Sequence, residues 1–176
     1  SENGFYDFYN GLCDTCLTVG IASEDKLLFT SSSNAVQILR LLGYDSITDI
    51  DLDKNPSMLL KYDKVIVLHN EYVTKNMFEA ITSHPNVVYL YPNSLYAEIQ
   101  SNFTKETISL IRGHGYPTSE ITNGFDWKYD NTQSDEYDKA CTTWKFYDVS
   151  NGKMLNCYPE RKIWQDENFL KALKEL

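Results

Sequence analysis

The sequence predicts an α/β domain: a mainly parallel sheet with helices on both faces, followed by a C-terminal β-hairpin. Three observations predict it. Lys64-Val65-Ile66-Val67-Leu68 and Val87-Val88-Tyr89-Leu90-Tyr91 are short β-branched and aromatic runs without polar alternation, the pattern of parallel strands buried on both faces. Residues 74–83 between them carry a helical pattern, so the three pieces read as one βαβ unit. Asn151-Gly152 separates two strand-like runs, residues 144–149 and 153–158, and both residues accept positive φ, which marks a hairpin turn. A length of 176 residues suits a single domain, residues 1–176.

Taken in order, residues 1–16 show no clear period and read as an irregular aromatic N-terminal arm. Residues 26–30 read as the first core strand. The serines after it suit the cap of a helix over residues 34–42, whose Ala35, Val36, Ile38, Leu39 and Leu42 form one apolar stripe, and Gly43 stands where a left-handed stop is wanted. Residues 47–52 read as a second strand, and residues 53–62 as a loop with one helical turn after Pro56. Thr74 caps the helix of the βαβ unit, which buries Met77, Phe78 and Ile81 and stops at His84-Pro85. A short helix over residues 94–100 is expected next, then a strand over 107–112 that ends at Gly113-His114-Gly115-Tyr116-Pro117. Residues 118–140 form a long polar and aromatic insert, a kind of segment that in a compact domain usually serves function. Asp166 caps a terminal helix with Phe169, Leu170, Leu173 and Leu176 on its buried face.

Composition narrows the function classes. A net charge of -9 and no Lys/Arg cluster argue against nucleic acid and against an anionic membrane surface, because both need a basic face. No apolar run is long enough to span a bilayer, and the polar start Ser1-Glu2-Asn3-Gly4 has no signal-peptide character, so membrane insertion is not expected and the chain reads as native from its first residue or as a processed product. Four cysteines in an acidic, tyrosine-rich chain favour an extracellular or cell-surface protein. Asn102-Phe103-Thr104 is a glycosylation sequon that fits this reading.

The cysteines pose a geometric problem. Cys13-Asp14-Thr15-Cys16 has redox spacing, but a strand-like Leu17-Thr18-Val19-Gly20-Ile21 follows it rather than a helix, so a structural disulfide is expected. With Asn151-Gly152 as the turn, Cys157 lies opposite Phe146 and Cys141 five residues further out, roughly 17 Å away, whereas a disulfide requires Cα atoms about 4.4 to 6.8 Å apart. The pairing Cys13 with Cys16 and Cys141 with Cys157 therefore requires the chain to double back before Trp144. It ranks ahead of the crossed pairings and of a four-cysteine zinc site, whose second C-x-x-C knuckle is missing.

Ligands of parallel sheets bind beyond the carboxyl ends of the strands. Here those ends carry His69, Asn70, Glu71 and Tyr72, and Asn93 and Ser94. His69 and Glu71 are two apart on an extended chain and so face the same side. A histidine with a carboxylate suits a general base with its orienting group, or a pair of metal ligands. His114, between two glycines, is the natural third member of a catalytic set, and Tyr72 or Tyr116 can add a phenol. Ser94 lacks the flanking glycines of a nucleophile elbow and reads as a helix cap. Trp127, with Phe125 and Tyr129, either stacks on sugar faces or forms core under the insert, and the second reading is preferred. His84 reads as structural.

Ser33-Asn34-Ala35 opening the first helix, Gly43-Tyr44-Asp45 ending it, Tyr62-Asp63-Lys64-Val65-Ile66-Val67 entering the next strand and His69-Asn70-Glu71-Tyr72 leaving it resemble the class I glutamine-amidotransferase-like superfamily. The nearest likeness is to the divergent branch that includes the carboxyl-terminal domain of the N,N-dimethylformamidase large subunit. The resemblance covers residues 26–98 and implies a three-layer flavodoxin-like fold. Amidotransferases of the superfamily place a cysteine nucleophile at the elbow. This chain has Asn93-Ser94 there, so the resemblance implies a domain without glutaminase chemistry. The formamidase branch implies a mononuclear iron held by tyrosines and one glutamate, and Glu71 is the position that carries over as a metal ligand.

Two functions are thus expected to compete, with binding the leading reading and hydrolysis its alternative. One is a binding domain for a small molecule, glycan or protein at the carboxyl edge of the sheet. The other is a hydrolase of amide or glycosidic bonds, metal-dependent or not, that uses Glu71 with His69 and His114. The sequence alone fixes neither cofactor nor substrate.

Overall fold

The structure, a computed structural model, describes residues 4–21, 31–129, 138–159 and 161–176. The strand expected over residues 26–30 and most of the acidic part of the insert lie outside the described residues. Two four-stranded sheets carry the chain, rather than one mainly parallel sheet. The first contains β2 (Val65–Val67), β4 (Val87–Tyr89), β8 (Gly152–Leu155) and β7 (Phe146–Val149), in that spatial order; all pairs are parallel except the β7–β8 hairpin. The second contains β1 (Thr18–Gly20), β6 (Thr107–Arg112), β5 (Ala97–Asn102) and β3 (Tyr72–Val73), antiparallel except for β3 with β5.

The βαβ unit forms as expected. Val65, Ile66 and Val67 pair with Val87, Val88 and Tyr89 in parallel register, and α4 (Lys75–Ser83) crosses between them. Thr74 caps α4 by accepting from Met77 N, and the helix buries Met77 and Ile81 while Phe78 stays half-buried. Alternation along β4 divides the core. Val88 joins Ala35 and Leu39 of α2 (Ser31–Leu41), Ile163 of α5 (Lys162–Gln165), and Phe169 and Leu173 of α6 (Glu167–Glu175). Val87 and Tyr89 join Met77, Ile81, Leu52 and Leu59 on the other side. A third cluster, with Ala97, Ile99 and Leu110, packs the second sheet against Phe5.

Four expectations change. Residues 47–52 are not a strand: they lead into the helix α3 (Asp49–Lys54), because Thr48 and Asp51 form a reciprocal cap, with Asp51 N donating to Thr48 Oγ1 at 3.1 Å and Thr48 N donating to Asp51 Oδ2 at 3.2 Å. A 3-10 turn, Pro56–Lys61, follows as foreseen. Residues 94–100 do not form a helix; Ala97–Asn102 is strand β5, with Ala97 and Ile99 inward and Gln100 outward. The first helix begins at Ser31 rather than at residue 34. The hairpin turns at Ser150-Asn151, since Val149 pairs with Gly152 and Phe146 with Leu155. Gly152 sits inside the strand because a Cβ there would lie 1.8 Å from the Val87 carbonyl oxygen, so the parallel neighbour passes too close for any side chain.

Both expected disulfides are present. Cys13 and Cys16 are joined, and Cys141 and Cys157 are joined with Cα atoms 5.3 Å apart. The chain does double back before Trp144: Tyr158 N donates to Asp138 O, Cys141 N donates to Asp138 Oδ1, and Cys141 adopts φ 49°. Within the N-terminal arm, Phe5–Tyr9 closes a short helix, α1. Among the described residues no helix is long and apolar enough to cross a membrane.

Candidate functional site

The site lies where two strands change sheets. One path runs from β2 through residues 68–71 into β3, and its parallel neighbour runs from β4 through residues 90–96 into β5. The paths stay stitched along the seam by Leu90 N to Val67 O, Leu95 N to Asn70 O and Ala97 N to Glu71 O, at 2.9 to 3.0 Å. His69 and Asn70 turn the corner with φ 52° and 42°. Left-handed backbone costs a residue with a Cβ roughly 1 to 2 kcal/mol, and two in succession persist only where the surroundings over-determine them.

That corner aims Glu71 into a nest of polar side chains. The carboxylate is only 9% exposed. Tyr6 OH of α1 donates to Glu71 Oε1 at 2.5 Å, and His114 Nε2 lies 3.6 Å from the same oxygen. His69 Nε2 lies 3.8 Å from Glu71 Oε2. Tyr72 OH is 2.9 Å from His114 Nε2. Burial first, and the negative charge of Glu71 second, hold the Tyr72 phenol far above its ordinary pKa, so it stays protonated beside that nitrogen. His114 Nδ1 is buried without a hydrogen-bond partner. The His114 ring is 1% exposed and is boxed by four tyrosines, Tyr6, Tyr9, Tyr72 and Tyr96, with ring centroids 4.6 to 5.5 Å away.

On the opposite side of Glu71, Asn93 Nδ2 lies 3.2 Å from His69 Nε2. The Asn93 amide thus holds the edge of the His69 ring beside Glu71. His69 is further fixed by stacking on Tyr91 at 4.5 Å. His69 Nε2 and Glu71 Oε2 face each other at 3.8 Å, a spacing that a small polar group can bridge. This side meets a cavity of about 920 Å³ whose wall includes His69, Asn70, Glu71, Tyr72, Asp49 and Asp53, as well as Ile21, the last described residue before residue 31.

Of the residues singled out in the sequence, the structure brings together His69, Glu71, Tyr72, Asn93 and His114. Asn70 turns away and donates to Asp49 Oδ1 at 2.6 Å. Ser94 donates to Tyr91 O and is buried, a structural role. Tyr116 packs on Phe8 rather than on Glu71, with ring centroids 5.9 Å apart. Trp127 lies against Tyr89 and Phe78, and Phe125 stacks on Phe78 at 4.0 Å, so this part of the insert is core. His84 is structural as expected, bonded to Tyr62 O and Asn86 O. Asn102 is exposed at the end of β5, paired with Thr107 of β6. Tyr6 was missed, and no local pattern ties residue 6 to residue 71.

No family model, curated protein or solved structure matches this chain.

Among the described residues no group of three or more His, Cys, Asp and Glu side chains is arranged to hold a metal ion. The set reaches four donors only when phenols are counted: Tyr6 Oη, Glu71 Oε1, His114 Nε2 and Tyr72 Oη, joined in that order by separations of 2.5, 3.6 and 2.9 Å. Ligands about 2.0 to 2.2 Å from one ion stand near that far apart, and oxygen-rich donors suit a hard cation.

Proposed function

We propose that the chain is an extracellular hydrolase-type domain that acts on an amide or glycosidic bond, with Glu71 as its working carboxylate. The observation that carries this reading is the carboxylate's position between two imidazoles, 3.8 Å from His69 and 3.6 Å from His114, at the edge of a cavity large enough for a small substrate. A water held between Glu71 Oε2 and His69 Nε2 donates a hydrogen to each acceptor in turn. As its oxygen attacks the substrate carbon, the proton passes to one of them, which is general-base catalysis. Asn93 and Tyr91 orient His69, and Tyr6 anchors Glu71 Oε1 and leaves Oε2 for the reaction. If a hard metal ion such as iron binds, Glu71, Tyr6, Tyr72 and His114 would hold it, and it would supply positive charge beside the Glu71 carboxylate.

Two disulfides support the extracellular assignment. The likeness to the amidotransferase-like superfamily belongs to the same proposal, supported by the parallel βαβ unit and its converging polar tails. A glycan-stacking platform at Trp127 is disfavoured, since that ring is packed against Tyr89. The test is turnover of a panel of small amides and glycosides by wild type and Glu71→Gln, with metal analysis of protein purified without chelator. Wild-type turnover that is lost in Glu71→Gln, at an unchanged melting temperature, is expected. Turnover that survives the substitution removes Glu71 from the chemistry, and ligand binding without turnover turns the cavity into a binding site alone.

A further inference from the structure

Among the described residues, the backbone of the N-terminal arm bonds only to itself: Asp7 N and Phe8 N to Gly4 O, Leu12 N and Cys13 N to Asp7 O, and Gly4 N to Asp7 Oδ2. The first backbone bond to a sheet is Leu110 N to Leu17 O, just beyond the Cys13–Cys16 disulfide. Side chains alone hold the arm down. Phe5 lies against Tyr72 at 5.2 Å, Phe8 against Tyr116 at 5.9 Å, and Tyr6 and Tyr9 cover His114 while Tyr6 bonds Glu71. These contacts form the roof of the Glu71 and His114 side of the site. Elements with self-contained backbone bonds and few anchors are those that open locally without global unfolding.

We propose that residues 4–12 are a redox-controlled roof, latched by the Cys13–Cys16 disulfide, whose reduction lets the arm lift and exposes Glu71 and His114. A thiolate of an external dithiol attacks one cysteine sulfur and breaks the S–S bond. The second thiol of the same reductant then releases the other cysteine, leaving two protein thiols and the reductant as its own disulfide. Accessibility makes the latch selective at one sulfur: Cys13 is half-buried beside exposed Asp14 and Thr15 while Cys16 is 9% exposed, whereas Cys141 and Cys157 are 0% and 1% exposed. The proposal does not depend on what Glu71 does chemically and stands or falls apart from the hydrolase reading.

The three histidines provide the test. His114 lies under the arm, His84 is buried in the body and bonded at both ring nitrogens, and His69 is 30% exposed. Diethyl pyrocarbonate labelling is followed site by site by mass spectrometry in wild type, in wild type treated with dithiothreitol until only Cys13 and Cys16 are free, and in Cys13→Ser/Cys16→Ser. The expected result is labelling of His114 at least tenfold faster in both altered forms, with His84 and His69 unchanged and faster amide exchange confined to residues 5–12. An unchanged His114 rate overturns the latch. So does a rise shared equally by His84, which would mean global loosening.

Discussion

Burial pushes the Tyr89 phenol up to about 12, and the neutral phenol donates to Asn151 Oδ1 at 3.2 Å. The ring lies at the centre of the first sheet and is fully buried, so a phenolate there would lose its water with no cation to replace it. The folded pKa is raised above the unfolded value of 10.0, so the neutral phenol's contribution is complete below pH 10 and is lost as pH rises toward about 12. The whole swing is on the order of 2 to 3 kcal/mol. Urea unfolding of wild type is therefore expected to give constant stability from pH 8 to just below 10 and a decline above it. Tyr89→Phe should show a shallower decline, because the phenol that resists ionising is gone. Equal slopes in the two proteins would assign the alkaline loss to other groups. The same physics at Tyr72 has a different use: burial and the Glu71 charge keep that phenol protonated, so it stays a neutral hydrogen-bonding partner of His114.

Single elements show what local pattern can and cannot say. Helix α6 was legible because its cap and its stripe agree: Asp166 Oδ1 accepts from Asn168 N and Phe169 N, and Phe169 and Leu173 face the core. Those backbone bonds, chiefly that from Phe169, hold the Asp166 carboxyl below its usual range. A depressed folded pKa means that the cap's charge-assisted part is present at neutral pH and disappears as pH falls through the folded value. Asp166→Ala should lower the melting temperature by roughly 2 to 4 °C at pH 7. Asp166→Asn should lose less at pH 7 and match wild type in acid, since a protonated aspartate and an asparagine cap alike. A constant gap between those two from neutral to acid pH would reject the charge argument. The βαβ unit was equally legible, as two buried runs and a capped helix specify one another. Strand β5 was not, because Ala97, Glu98 and Gln100 favour helix by propensity while pairing with β6 on one side and β3 on the other decides the matter. In α3 the signal was present and unread: Thr48 and Asp51 are a capping pair in sequence, outweighed by the apolar spacing of Ile47, Ile50 and Leu52. Of the site, the half carried by residues 69–72 and 93 follows from strand ends. The half carried by Tyr6 depends on an arm docked 65 residues away, which only tertiary packing brings close.

At the scale of the molecule, the two disulfides act on different equilibria. Cys141–Cys157 closes a loop with a sequence separation of 16 and lies in the core with Val88, Leu155 and Phe169. It pins the approach to β7 beside the exit from β8, and β8 pairs directly with β4 of the central unit. Every route to global unfolding must release that loop, so the chain-entropy stabilisation, about 3 kcal/mol for a loop of this size, should appear in full. That is a large share of the roughly 5 to 15 kcal/mol by which a domain is stable. Cys13–Cys16 spans a separation of only three and staples an arm that bonds to the body through side chains. Its loss should alter how often the arm lifts and leave the body's unfolding nearly unchanged. Urea denaturation of Cys141→Ala/Cys157→Ala and Cys13→Ser/Cys16→Ser, read by tryptophan fluorescence from Trp127 and Trp144 in the body, separates the two. The first variant is expected to lose about 3 kcal/mol or more, because its buried sulfurs also leave space behind, and the second less than about 1 kcal/mol. The reverse order would mean that the arm is an integral part of the cooperative core, and the division of labour between the two bonds would have to be given up.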